Sequence, residues 1–217
     1  MLEYKSIEEL CRAAHAKNCK LSELVLDDQA ESMELPREEL YRRMEERFAV
    51  MESAVKAGMN PELRSTSNLT GGDAAKMWAY ASSGGVCGGF VNRAMARALA
   101  VSENNAAMGK VVAAPTAGSC GILPGTVVSL AAEGRCTRRE AVMSLFTAGA
   151  FGMVIAAKAS LSGAEGGCQA ECGSASAMAA AAIVELMGGT PEQCAHACAM
   201  AIKNQLGLVC DPVAGLV

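Results

Sequence analysis

The sequence predicts a mainly α protein, a compact bundle of small-residue-rich helices joined by glycine-rich turns, with little or no sheet. Three observations predict it. Helix start and stop signals recur along all 217 residues, whereas only one short run suggests a strand. Hydrophobic residues make up 51% of the chain but aromatic ones only 4%, so the apolar mass is Ala, Val, Leu, Met and Cys. Glycines number 22, and helices faced with such small residues can pack their backbones closely.

Ser6 with Glu9 makes a capping box for a helix to about Ala16. Pro36, suited to a first turn, opens Arg37–Lys56, and Gly58 is a natural stop. Asp73–Ala81 and Gly88–Ser102 read as helical; Lys110–Ala114 is the one strand-like run; Thr126–Ala132 reads as a further helix. Thr137 with Glu140 caps a long apolar helix. Its uncharged part, Ala141 to Ala157, is shorter than the about 20 residues a membrane span needs, so it reads as a core helix. Gly173–Met187 is an Ala-rich helix continued by Ile183, Val184 and Leu186, and Thr190, Pro191 and Gln193 start the last one, to about Gln205.

Residues 1–57 hold 22 of the 42 charged side chains. They read as charged surface helices, and 58–217 as a buried core, within a single α domain spanning 1–217. The net charge of −4 excludes a basic footprint for nucleic acid. Met1–Glu9 is polar and acidic where a signal peptide needs an apolar run, so the ten cysteines read as reduced thiols of a cytoplasmic protein with no membrane span.

Two glycine-punctuated segments carry the most chemistry: Ala114-Pro-Thr-Ala-Gly-Ser-Cys-Gly-Ile-Leu-Pro-Gly125 and Gly166-Gly-Cys-Gln-Ala-Glu-Cys-Gly-Ser-Ala175. Each gathers small residues, hydroxyls and a cysteine in a bend and then opens into an apolar helical run, where helix-start N–H groups favour negative charge. Cys168, behind two glycines and ahead of a helix expected near Gly173, reads as a metal or cluster ligand; Cys172 reads as a small apolar residue. Cys210 precedes Asp211-Pro212, which puts its thiol on a bend. His196 lies about 200° around a helix from Cys194, whereas Cys198 shares the face of Cys194, so these are two core cysteines and a histidine pointing elsewhere. Cys120 is open between core and site. Ser65-Thr-Ser-Asn-Leu-Thr-Gly-Gly-Asp73 and Thr116-Ala-Gly-Ser119 gather hydroxyls, an amide and glycine-supported N–H groups suited either to helix capping or to a carboxylate or phosphate oxygen. No P-loop, H-E-x-x-H or G-x-S-x-G pattern occurs, and two histidines leave little for a hydrolytic triad.

At these residues the chain resembles the α chain of iron–sulfur-dependent L-serine dehydratases (L-serine ammonia-lyases). The likeness runs from Ser65-Thr-Ser-Asn-Leu-Thr-Gly-Gly-Asp-Ala-Ala-Lys76 through Glu103-Asn-Asn-Ala-Ala-Met-Gly109 and Ala114-Pro-Thr-Ala-Gly-Ser-Cys-Gly121 to Glu165-Gly-Gly-Cys-Gln169 and Cys210-Asp-Pro-Val-Ala-Gly-Leu-Val217. It implies a 4Fe–4S cluster held by three cysteines, the first two at Cys168 and Cys210 and the third beyond Val217. The C-terminal end of the core is then expected to be missing, the cluster absent or incomplete in this chain, and the isolated chain inactive. The resemblance further implies L-serine as substrate and pyruvate and ammonia as products, with an open iron acting as Lewis acid on the hydroxyl. Ser65, Ser67, Asn68, Thr116 and Gly118 are expected at the substrate, Ser65, Ser67 and Thr116 holding its carboxylate, and the base stays unassigned. The partners implied are a β subunit or domain of the same enzyme and an oligomer. The competing expectations are a related cluster-dependent cysteine desulfidase, a pyridoxal-phosphate lyase, for which Lys158 before Gly163 is a poor fit, and a non-catalytic helical scaffold subunit.

Overall fold

Side-chain caps set three helix starts in the computed structural model, which describes residues 4–208. Among the described residues the helices are α1 (Ile7–Ala16), α2 (Leu21–Met33), α3 (Arg37–Gly58), α4 (Asp73–Ser82), α5 (Gly88–Ala106), α6 (Ser129–Ala132), α7 (Arg138–Ala156), α8 (Gly163–Gly166), α9 (Cys168–Leu186) and α10 (Pro191–Gln205). A π-helical stretch, Pro124–Val128, runs directly into α6, and the described residues include no strand. The mainly α expectation holds.

Ser6 caps α1 by accepting from the Glu9 N–H at 3.1 Å, but Glu9 Oε2 takes the Lys5 N–H at 2.7 Å, so that box is half closed. The boxes of Thr137 with Glu140 and Thr190 with Gln193 are complete. Three expectations need correction, and one helix, α2, has no start signal in the sequence. Lys110–Ala114 finds no strand to pair with among the described residues, and the Lys110 carbonyl instead accepts from Asn104 Nδ2 at 3.0 Å. α2 carries no start signal because Lys20 offers no side-chain cap; burial of Leu21, Leu24, Val25 and Leu26 holds it instead. α9 begins at Cys168 rather than near Gly173, and α5 continues past Ser102 to Ala106.

The chain divides into two compact units, one formed by the chain up to Glu46 and again from Cys136, the other by Arg47–Arg135. The change in charge density near Gly58 thus falls inside the second unit. In the first, α9 packs against both α7 and α10, α1 lies on α10 and α2 on α7. The core combines Leu10, Leu24, Phe151, Ala177, Ala181 and Cys194, so α1 and α2 keep one charged face and bury the other. α7 is the one described helix long and apolar enough to cross a membrane, yet 67% of its apolar window is buried in protein, as a core helix requires. Full burial of side chains such as Phe151 and Leu24 contributes about 1.5–3 kcal/mol each.

Three thiols serve this core as small apolar groups. Burial pushes Cys194 up from an ordinary 9.0 to about 12, with smaller contributions from Glu185 and Cys11. Cys198 and Cys11 are each raised to about 11, again chiefly by burial, and Cys11 Sγ donates to the Pro191 carbonyl at 3.3 Å. His196 is exposed while Cys194 and Cys198 are buried, which is the facing predicted from helix geometry.

In the second unit α5 is the central helix, with α4 and the 124–132 segment packed on it. Glycines allow the close approach: a Cβ added at Gly121 would lie 2.5 Å from the Ala98 carbonyl oxygen, and one at Gly125 would lie 2.7 Å from Ala98 Cβ and 3.1 Å from the Ala94 carbonyl oxygen. The buried Arg97 ties the same elements together. Its guanidinium donates to Ser129 Oγ at 3.1 Å and Glu133 Oε1 at 3.3 Å, and lies 5.0 Å from the Trp78 ring centroid. Hydrogen bonding from Arg93, and then from Arg97, holds the Glu133 carboxyl below the usual carboxylate range.

Two outcomes follow from this packing. Gly125→Ala should destabilise the protein by about 1–3 kcal/mol in denaturant unfolding, even though Ala favours an exposed helix by about 1 kcal/mol, because the backbone of α5 has no room for the methyl. The buried thiols also link stability to pH. A thiol whose folded pKa is raised favours the folded state fully below its unfolded value, and that advantage fades as pH climbs toward the folded value. Stability should therefore fall between 9.0 and about 12. Urea midpoints at about pH 8 and about pH 10.5 should differ less in a Cys194→Ala/Cys198→Ala double variant than in the parent.

Candidate functional site

Both hydroxyl-rich turns lie in the second unit and hang on the last turn of α5. In the first turn the Asn68 N–H donates to the Ser65 carbonyl at 2.9 Å, with Asn68 at φ 60. The Ser65 N–H donates to the Thr70 carbonyl at 2.9 Å, and Ser65 Oγ accepts from the Thr70 N–H at 3.2 Å while lying 3.1 Å from Ser67 Oγ. Ser65 is buried, whereas Ser67 and Asn68 are exposed, so the first anchors the turn and the other two are presented by it. The Thr66 N–H donates to the Ala106 carbonyl at 3.1 Å.

The second turn is built alike. Thr116 Oγ1 lies 3.1 Å from the hydroxyl of buried Ser119, and Ala117 and Gly118 between them are exposed. The Ala117 carbonyl accepts from Asn105 Nδ2 at 3.1 Å and from the Cys120 N–H at 3.3 Å. Cys120 itself is buried with Ala54 and Val101, which makes it a core residue. Neighbouring residues of α5, Asn105 and Ala106, therefore hold two turns that are some fifty residues apart in sequence.

The two residues before them hold two more segments. Glu103, 8% exposed, accepts the Gly72 N–H on Oε2 at 2.9 Å, and the Asp73 and Ala74 N–H groups on Oε1 at 2.7 and 3.1 Å. It thereby caps α4, whose own N-cap residue, Gly72 at φ 83, has no side chain to do so. The Asn104 carbonyl accepts from the Gly109 N–H at 2.7 Å, and its amide holds Lys110. The resemblance picks out this stretch without giving it a role. The signal that could have found it is an acidic residue in the last turn of a helix that has no basic residue there, against the helix dipole, followed by two asparagines.

The first turn presents the exposed Ser67 hydroxyl and the second the half-buried Thr116 hydroxyl, while the N–H groups of Ser65, Thr66, Asn68 and Thr70 are spent within the first turn and on α5.

Cys168 belongs to the first unit. It is the half-buried first residue of α9, preceded by the N-cap residue Gly167 at φ 73, which has no side chain to offer that helix start. The thiol thus stands with the first-turn N–H groups where negative charge is favoured, which fits one thiolate ligand of an anionic centre. Cys172, one turn further along, is half-buried. Cys210 lies outside the described residues. Among the described residues no group of three or more His, Cys, Asp or Glu side chains is placed to hold a metal ion, so they supply one expected ligand and not a complete set.

The family model of the serine dehydratase alpha chain matches residues 16–217. The chain is 48% identical over 215 residues to a probable L-serine dehydratase, alpha chain, of Bacillus subtilis, covering 99% of this chain and 71% of that protein. It is 42% identical over 210 residues to the L-serine dehydratase, alpha chain, of Peptoniphilus asaccharolyticus, covering 96% and 72%. With the L-serine dehydratase TdcG of Escherichia coli it shares 50% identity over 121 residues, 55% of this chain and 27% of that protein. With the family match running from the end of α1 through every element that builds the site, this chain belongs to the serine dehydratase alpha chain family.

Proposed function

We propose that this chain is the catalytic α subunit of a 4Fe–4S-dependent lyase that dehydrates and deaminates L-serine to pyruvate and ammonia, working in the cytoplasm with a β subunit or domain of the same enzyme in an oligomer. The observation that carries the reading is the attachment of both hydroxyl turns to neighbouring residues at the end of α5, in a chain of this family. Cys168 and Cys210 would hold the cluster with a further cysteine, and when bound it supplies Lewis-acid polarisation of the substrate hydroxyl.

The chain's own part is binding and orientation. Ser67, Asn68 and Thr116, with the N–H groups near Gly118, receive the substrate carboxylate, and buried Ser65 keeps Ser67 in place through the 3.1 Å contact between their hydroxyls. A carboxylate held by several fixed donors leaves serine one orientation, which is the geometric requirement for removing the α-proton and the hydroxyl in register. The helix start at Cys168 favours the negative charge of a thiolate-ligated cluster there.

In the complete enzyme Ser67→Ala or Thr116→Val should raise KM for L-serine by roughly tenfold, as loss of a hydrogen bond to a charged group does, while iron and sulfide content stays unchanged. Loss of the cluster's visible absorbance with KM intact would make these residues structural. Cys168→Ser should do the reverse and lower iron content and absorbance in anaerobically reconstituted enzyme. An unaltered spectrum would remove Cys168 from the ligand set.

A further inference from the structure

We infer that Glu103 is a positioning residue for the substrate: its carboxylate, through the backbone of Gly72–Ala74, sets the turn that presents Ser67, and Asn105 does the same for the turn of Thr116. The inference deepens the reading above, on which it rests, by naming residues that never touch the substrate.

The connection is short. Glu103 fixes three consecutive N–H groups from Gly72 to Ala74. Just before them the chain passes through Gly71, at φ 138, where an added Cβ would collide with Leu63 and Arg64 backbone, so this stretch has little freedom of its own. Thr70 precedes it, and Thr70 grips Ser65 from both sides, its N–H on Ser65 Oγ and its carbonyl on the Ser65 N–H. Ser65 Oγ then meets Ser67 Oγ. From the other side Ala106, three residues after Glu103, receives the Thr66 N–H. The turn is therefore fixed at both ends by one turn of one helix.

Charge placement argues that Glu103 is not there for the sake of α5. A carboxylate in a last helical turn opposes the helix dipole, and the last turn of α5 has no basic residue to offset it. Its favourable partner is the positive N-terminal end of α4. Both oxygens are used, so the isosteric amide cannot replace the carboxylate. With its oxygen in place of Oε1, Gln would turn its NH₂ donor toward the Gly72 N–H, beside the segment that carries Thr70.

The test uses the complete enzyme with its partner. Glu103→Gln should raise KM for L-serine roughly tenfold with kcat changed less than about threefold. The cluster absorbance should stay as in the parent, and amide hydrogen exchange should quicken over residues 66–74. Asn105→Ala, which removes one half-buried hydrogen bond and should fold normally, should raise KM by about threefold and quicken exchange over 116–120. A lower melting temperature for Glu103→Gln with KM unchanged would overturn the inference and leave Glu103 as a cap of α4 alone. If Glu103→Gln does not fold, Asn105→Ala decides, and an unchanged KM there overturns the inference. Comparison with Ser67→Ala separates the two readings. A raised KM for Ser67→Ala alone sinks the positioning role and keeps the carboxylate site, whereas a raised KM for Glu103→Gln and Asn105→Ala alone sinks the Ser67 contact and keeps the positioning role.

Discussion

Three backbone N–H groups of Gly72–Ala74 converge on the Glu103 carboxylate, and the order of the second unit depends on that contact. Burying a carboxylate costs several kcal/mol. Charge-assisted hydrogen bonds, at about 1.5–3 kcal/mol each, offset this only when both oxygens are well supplied, as they are here. The contact joins the end of α5 to the start of α4, and the residues that follow Glu103 use the same helix end to hold the 109–110 backbone and both hydroxyl turns. A helix C-terminus, which elsewhere only needs its carbonyls satisfied, becomes the frame that holds both hydroxyl turns.

Such a frame needs a rigid support, and small side chains supply it. Gly121 and Gly125 let the 119–132 segment approach the α5 backbone at Ala98 more closely than any larger residue permits. Arg97 then crosses to Ser129 and Glu133 from a buried position against Trp78. The first unit solves its packing in the same idiom, with an Ala-rich α9 against α7 and α10 and buried thiols where another protein would use larger apolar groups. The few aromatic residues are compensated by close backbone approach rather than by large rings.

The helix starts are satisfied in different ways. α1, α7 and α10 satisfy their first N–H groups with Ser6, Thr137 and Thr190. α4 has its start satisfied by a residue of another helix, α2 starts behind Lys20 with no side-chain cap from it, and α9 starts behind Gly167, which has no side chain to give.

Local sequence was enough wherever a structure depends on residues within a few positions of one another. Thr137 with Glu140 and Thr190 with Gln193 mark helix starts to the residue, because each box closes within a single turn. His196 faces away from Cys194 and Cys198 because a helix rotates by a fixed angle per residue. The positions of the hydroxyl turns and of Cys168 at a helix start follow from their glycines and their order along the chain. Tertiary structure alone decided the rest. α2 exists because Leu21, Leu24, Val25 and Leu26 find a core to enter. Lys110–Ala114 is no strand because strand pairing needs a neighbour, and Asn104 claims its first carbonyl. Cys120 is a core residue because Ala54 and Val101 enclose it. The role of Glu103 was invisible for the same reason: its partners lie some thirty residues away, and only the packing of α4 along α5 brings a buried carboxylate to a helix start that lacks a cap of its own.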